Sequence, residues 1–136
     1  MTHKPGLYWW VRRADETGMS GSGKVAQVAV FEDGSAVMRW LKKRNAAGVQ
    51  STVCYETVRD LEWVHGHGAK QTGWLVPAVN IGEIVNISSL EGFFGAAKVV
   101  DESDEPDRFY RVLFVDHATR GDNKEPFWAW NWEVAR

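Results

Sequence analysis

A glycine-rich stretch, Gly18-Met-Ser-Gly-Ser-Gly-Lys24, has the glycine and lysine spacing of a phosphate-binding loop. Such a loop holds phosphates with backbone N–H groups and the lysine, and the next residue is a Ser or Thr that binds Mg²⁺. Here the next residue is Val25, and the chain continues with β-favouring residues where a helix should follow. The stretch is therefore interpreted as a connecting loop, and we predict no cofactor.

Two histidines raise the possibility of a zinc site. His65 and His67 are separated by one glycine, whereas structural zinc ligands usually come in pairs separated by two or more residues. The pattern favours a turn whose imidazoles bond to the backbone, and we predict no metal. The side chains that would have to complete a metal site are Cys54, Asp60, Asp116 and His117.

The sequence offers little for catalysis. A nucleophilic Cys54 would need a neighbouring base, but it alternates with Val53 and Tyr55 and is typical of a small buried strand residue. The carboxylates of residues 101–107 follow one another in a predicted acidic, solvated loop, and raised carboxyl pKa values require burial. We therefore predict that the protein is not an enzyme.

Basic residues in the first half are candidates for phosphate recognition. Arg39 should point outward, opposite Trp40, and the following residues Lys42, Lys43 and Arg44 extend the basic edge. Trp9 or Trp10 could supply a stacking surface, which together with phosphate contacts suits a nucleic acid. The net acidic chain, with a pI of about 6.1, argues against this interpretation. The other basic residues of this set are Arg12, Arg13 and Lys24.

Aromatic residues are the candidates for binding a protein. Alternation over residues 127–134 would place Trp128, Trp130 and Trp132 on one face of a closing strand. That face either seals a small core or forms a binding surface, because each indole covers on the order of 200 Å². The residues predicted to contact a partner are Phe93, Phe94, Tyr110, Trp128 and Trp130.

Charge divides the 136 residues into two halves. Residues 1–76 carry 10 Lys and Arg against 7 Asp and Glu, and residues 77–136 carry 6 against 11. We predict an N-terminal hairpin or meander unit at 1–76 and a small barrel at 77–136, which could also pack as one domain. A single cysteine and the lack of a long apolar stretch predict a cytoplasmic protein with no membrane span.

Short strands dominate the predicted structure. Asp33-Gly34 between two β-favouring runs, 25–31 and 36–41, predicts a hairpin. Thr57 predicts the start of a short helix that extends to Val64. Many short strands with glycine-rich turns and little helix favour an all-β fold with antiparallel strands, in one or two SH3-like barrels or a β-roll.

The second half resembles SH3-like small barrels of the Tudor and KOW kind. The resemblance is carried by Gly82 to Ile87, Gly92 to Val100, Tyr110 to Phe114 and a closing Trp-x-Trp-Glu-Val strand. It implies binding of peptides or nucleic acids through aromatic residues on loops and strand ends.

The first half resembles small uncharacterised proteins of actinobacteria and their phages. The matching residues are Ser20-Gly-Ser-Gly23, Val25-Ala26, Phe31-x-Asp-Gly34, Arg39-Trp40 and His65-Gly-His-Gly68. That resemblance implies no activity.

The functional prediction is a non-catalytic binding protein, an accessory or inhibitory protein of phage origin that docks on another macromolecule by an aromatic and charged surface. Aromatic and arginine-rich composition favours a protein partner. Nucleic-acid binding through Arg39, Lys42, Lys43 and Arg44 is the first alternative, and a structural component of the virion is the second.

Overall fold

A computed structural model describes residues 3–13, 23–88, 94–105, 107–115 and 125–135, without the side chains of Ala69, Phe94 and Trp132. The chain forms two compact units, Met1–Ala78 and Val79–Arg136. The predicted phosphate-loop residues 18–22, together with Phe93, Asp116 and His117, lie outside the described residues. Whether the two halves fold as separate domains stays a prediction.

The first unit is a five-stranded antiparallel sheet, sheet A, with one helix. Its strand order is β4-β3-β2-β1-β5. Helix α1 spans Val58–His65, and a 3₁₀ turn at Gly68–Lys70 follows it. The strands are β1 Gly6–Arg12, β2 Gly23–Val30, β3 Ala36–Trp40, β4 Ser51–Tyr55 and β5 Gly73–Pro77.

Local turn and cap chemistry produces the hairpin and the helix as predicted. Strands β2 and β3 pair from Ala26↔Trp40 to Val30↔Ala36. Between them Gly34 has φ +87°, and the Asp33 carboxylate accepts hydrogen bonds from the Ser35 amide and hydroxyl, which lowers the pKa of Asp33. At the helix start, the Thr57 hydroxyl accepts from the Asp60 amide at 3.1 Å.

The core of the first unit centres on Trp10, which is completely buried. Its indole lies so close to β5 that a Cβ at Gly73 would stand 2.5 Å from Cζ2 of Trp10. Only glycine therefore fits at residue 73. The other residues of this core include Tyr8, Val25, Ala26, Val28, Val30, Ala36, Met38, Val58, Leu61 and Leu75.

The second unit is another five-stranded antiparallel sheet, sheet B, in the order β10-β6-β7-β8-β9. Strand β8 lies between two neighbouring strands, and Val115 just after it is 51% exposed. The strands are β6 Ile84–Ser88, β7 Phe94–Glu102, β8 Tyr110–Phe114, β9 Phe127–Ala129 and β10 Val134–Ala135.

The prediction of one continuous tryptophan-rich strand at the C-terminus is wrong. Strand β9 ends at Ala129, and a 3₁₀ turn spans Asn131–Glu133. The turn forms because polar side chains bond the backbone inside the unit. Asn131 Oδ1 accepts from the Phe109 amide at 3.0 Å, and Glu133 Oε1 accepts from the Trp130 amide at 2.8 Å. The three tryptophans therefore do not share one strand face.

The prediction of an all-β fold with antiparallel strands is confirmed: every strand pair in the described residues is antiparallel. An SH3-like topology for the second unit stays a prediction.

We predict that Gly73→Ala destabilises the protein by about 2 kcal/mol or more, because the added methyl group must displace a packed indole or a strand. Urea unfolding measures the change. The double variant Gly73→Ala, Trp10→Phe should lose less free energy of unfolding than the sum of the two single variants, because the smaller phenylalanine ring leaves room for the added methyl group. Strict additivity would contradict the contact.

Candidate functional site

One face of sheet A carries two tryptophans on neighbouring strands. In the β1–β5 register, Trp9 lies opposite Val76, and Val11 lies opposite Trp74. Because residues two apart in a strand share a face, Trp9 and Trp74 lie on the same face. It is the face opposite Trp10, and both indoles are half-buried. The two indoles therefore lie on one side of the sheet, next to Val11 and Val76, which are buried.

Three basic side chains lie against these two indoles. Lys24 Nζ lies 5.4 Å and Arg44 Cζ 5.1 Å from the ring centroid of Trp9. Arg13 Cζ lies 5.2 Å from the ring centroid of Trp74. All three distances are within the range of cation–π attraction. We call Trp9, Arg13, Lys24, Arg44 and Trp74 the cation–aromatic face.

A β-bulge puts Lys24 on this face. Trp10 pairs with Ala26, but the next residue, Val11, pairs with Lys24, so Val25 is an extra residue. Without the bulge, Lys24 would share the core side with Ala26, because strand side chains alternate. The extra residue reverses the alternation and brings the ammonium group to Trp9.

The predicted basic edge lies beside this face. Arg39 is exposed, as predicted, and its Nη1 donates to Thr52 Oγ1 at 3.2 Å. Lys42 and Lys43 are also exposed. Their loop is held by Asn45, whose Nδ2 donates to the carbonyls of Leu41 and Val49, both at 2.7 Å. The loop that carries Arg44 to Trp9 is thus tied down at its two ends.

Two residues predicted for the nucleic-acid site, Trp10 and Arg12, lie on the other side of the sheet. Trp10 and Arg12 are 0% and 1% exposed, on the core side of β1, so neither is available to a ligand on the opposite face. Arg12 Nη1 donates to the His65 carbonyl at 2.9 Å and Nη2 to His67 Nε2 at 2.6 Å. Arg12 therefore holds the turn that follows α1 against the sheet.

The histidine pair belongs to that same turn. The Tyr55 hydroxyl and His65 Nε2 form a hydrogen bond at 2.5 Å, and the rings of Trp40 and Tyr55 meet the imidazole edge-on at 5.4 and 5.7 Å. The Nε2 atoms of both histidines are thus engaged by protein groups. In the described part of the chain, no three His, Cys, Asp or Glu side chains are grouped to hold a metal ion.

Burial is the main reason that the pKa of His65 is lowered from 6.5 to about 4, and the charges of Arg12 and His67 add to the effect. The ring is therefore neutral at neutral pH.

Cys54 is not a buried strand residue, because it is exposed on β4. The prediction was wrong because β4 is an edge strand in which four of the five residues, Ser51 to Cys54, are exposed. The acidic residues agree with the expected exposure, since Asp101, Glu102, Asp104, Glu105 and Asp107 are all exposed. The predicted loop begins later than expected, because Asp101 and Glu102 belong to β7 and pair with β8.

The predicted aromatic contacts of the second unit are dispersed. Tyr110 is 1% exposed, and its hydroxyl accepts from the Val79 amide at 3.2 Å, so it is a core residue with no surface to offer. Trp128 and Trp130 are half-buried. Arg108 Cζ lies 3.6 Å from the ring centroid of Trp130. Phe94 begins β7, and its side chain is not among those that the structure describes.

The fold and this site together define a small all-β protein that presents cations and indoles on one face of an antiparallel sheet. A family model described as Acb5 phage protein matches residues 5–75, just over half of the chain. The chain therefore belongs to the Acb5 phage protein family. The match covers nearly all of sheet A, and it confirms the expectation of a phage protein for the first half.

No curated protein and no solved structure gives a significant match to this chain. Among the residues that the structure describes, no helix is long and apolar enough to cross a membrane.

We predict that stability falls as the pH drops from about 6.5 toward about 4. In that window His65 is protonated in the unfolded chain but not in the folded protein. The free energy of unfolding therefore falls below the value that it has above pH 6.5. Because the ring is partly exposed, we expect about 1 kcal/mol between about pH 7.5 and about pH 5.

Urea unfolding at the two pH values measures this loss. His65→Gln should flatten the dependence. An equal pH dependence in the wild type and in His65→Gln would contradict the assignment.

Proposed function

We propose that this phage protein is a non-catalytic binding protein whose partner is a nucleic acid, held on the cation–aromatic face. The observation that carries the proposal is Trp9 with two cations, Lys24 and Arg44, over its ring. Indoles supply sequence-tolerant stacking for unpaired bases, and the exposed Arg44 supplies a phosphate contact, whereas Lys24 is only 8% exposed and adds positive charge beside the ring. The mechanism is occlusion or recruitment of the bound strand.

The distribution of charge supports this choice of face. On the five strands of sheet A, the residues that share the side of Trp9 include the cations Lys24 and Arg39, and none of the described ones is acidic. The exposed Lys42 and Lys43 lie in the adjoining loop. The net acidity of the chain comes from the second half, so it does not oppose a local positive field.

A protein partner bound by the second unit is the second candidate, and a specific observation favours it. The Arg108 guanidinium stacks on Trp130, and Arg111 lies opposite Trp128 in the β8–β9 register. The Nε atoms of Arg108 and Arg111 are buried and have no hydrogen-bond partner within the described residues. Tryptophan and arginine are the residue types enriched at protein-binding hot spots.

The proposal places the protein in the cytoplasm, since its one cysteine is exposed and unpaired and suits a reducing compartment. A structural role in the virion is the remaining alternative; it predicts self-assembly at micromolar concentration.

We predict that Lys42→Glu, Lys43→Glu and Arg44→Glu together weaken binding to a single-stranded oligonucleotide by about tenfold or more at low salt. Losing three phosphate contacts should also lower the slope of log affinity against log salt by about 2. Fluorescence anisotropy at several salt concentrations measures both values.

The matched control reverses three exposed cations elsewhere in the first unit, with Lys4→Glu, Arg59→Glu and Lys70→Glu. It carries the same change in net charge and should lose much less affinity. Equal losses in the two triple variants would show that only net charge matters and would contradict a defined face.

The second candidate makes a separable prediction. A complex with a protein partner should survive about 0.5 M salt, because screening leaves apolar contacts largely intact. Trp128→Ala or Phe94→Ala should abolish that complex in co-elution with light scattering, while the reversal at residues 42–44 should not. Loss of the complex with the basic variant alone would contradict this second candidate.

A further inference from the structure

The edges of the two sheets differ in how they are protected. In sheet B, the edge strands β9 and β10 have only three and two residues. In sheet A, the edge strand β5 has three buried residues and ends at Pro77. The other edge strand, β4, has five residues, four of them exposed. An exposed strand edge presents unpaired backbone N–H and C=O groups that can pair with another strand.

The residues of β4 lack the usual means of preventing such pairing. The strand is Ser-Thr-Val-Cys-Tyr, without a charge, a proline or a glycine, and its register with β3 runs without a bulge from Ala36↔Tyr55 to Trp40↔Ser51. Natural edge strands are commonly blocked by lysines, prolines or bulges. The Val53 side chain is 38% exposed at the centre of the strand.

Charges of opposite sign lie at the two ends of this edge. The loop that joins Trp40 to Ser51 carries the exposed cations Lys42 and Lys43. At the other end, near Tyr55, Glu56 is exposed, and the hairpin turn with Glu32 is tied to the start of α1 by the hydrogen bond from Val58 N to Gly34 O at 2.8 Å. An antiparallel copy of the same edge would bring the basic end of each chain to the acidic end of the other.

We propose that β4 pairs antiparallel with β4 of a second copy of this chain, about a two-fold axis through Val53. Such an interface is isologous, because the same surface patch is used on both subunits and the assembly closes at two. It joins two copies of sheet A into one ten-stranded sheet. Charge complementarity along the edge selects the second copy as occupant over an unrelated peptide.

This pairing goes beyond nucleic-acid binding and also bears on it. A two-fold axis normal to the sheet keeps the same face of both copies on the same side. The dimer would therefore present two cation–aromatic faces side by side, and two linked sites bind a long strand more tightly than either alone. The dimer itself needs no nucleic acid, so its test is independent of the proposed function.

The first test is a charge swap measured by analytical ultracentrifugation without nucleic acid. The Lys42→Glu, Lys43→Glu variant and the Glu32→Lys, Glu56→Lys variant each place like charges together in a homodimer, so each should dissociate at least about fivefold more readily than the wild type. Mixed in equal amounts, they should form a heterodimer, because every contact between them is again of opposite sign. Absence of the heterodimer would overturn the proposal.

The second test fixes the register. In the Val53→Cys, Cys54→Ser variant, the two Cys residues would face each other across the axis with Cα atoms about 4.5 to 5.5 Å apart, within disulfide range. Oxidation should give a covalent dimer of the variant but not of the wild type, whose Cys54 would lie opposite Thr52 of the other copy.

A third test, the Val53→Lys variant, is designed to prevent dimerisation. This variant should be a folded monomer, because the two introduced lysine side chains would face each other across the axis and block pairing of the strands. The control Val115→Lys changes an exposed valine of the second unit and should leave the dimer intact. A wild-type protein that stays monomeric at about 100 µM, or that forms larger assemblies, would overturn the two-fold pairing.

Discussion

The β-bulge opposite Trp10 and Val11 determines how the first unit divides its residues between core and surface. One extra residue, Val25, reverses the alternation of β2 at the point where β1 carries its largest side chains. As a result Ala26 stays with Trp10 in the core, and Lys24 lies over Trp9 on the other face. Without this single insertion, the Lys24 ammonium group would lie on the Trp10 side of the sheet instead of over the Trp9 ring.

The core side of β1 carries a buried arginine. Arg12 is almost completely inaccessible, and it donates to the His65 carbonyl and the His67 imidazole. Burial of His65 keeps that ring neutral, so no second positive charge is placed beside the guanidinium. The histidine turn that looks like a fragment of a metal site is thus a cap that closes the core above Trp10.

Local signals in the sequence were sufficient for much of the fold. The Asp33-Gly34 turn and the Thr57 cap act within a few residues, so the hairpin and α1 follow from their own chemistry. The exposed basic edge at Arg39, Lys42 and Lys43 was found in the same way. Lys24 and Trp74 join it only through the bulge and the β1–β5 pairing, which have no local signature. The exposure of Cys54 depends on the order of the strands in the sheet. The end of the strand after Ala129 depends on hydrogen bonds to Phe109 and Trp130. The sequence pattern of either segment alone could not predict these two features.

The central claim is that Trp9 and its cations form a binding face for nucleic acid. The most direct measurement is ¹⁹F NMR of the protein with its eight tryptophans replaced by 5-fluorotryptophan, titrated with a short oligothymidylate. Single Trp→Phe variants assign the signals. The account predicts that the Trp9 and Trp74 resonances shift and saturate, while the buried Trp10 resonance stays in place. Shifts confined to Trp128 and Trp130, or no shift at all, would contradict it.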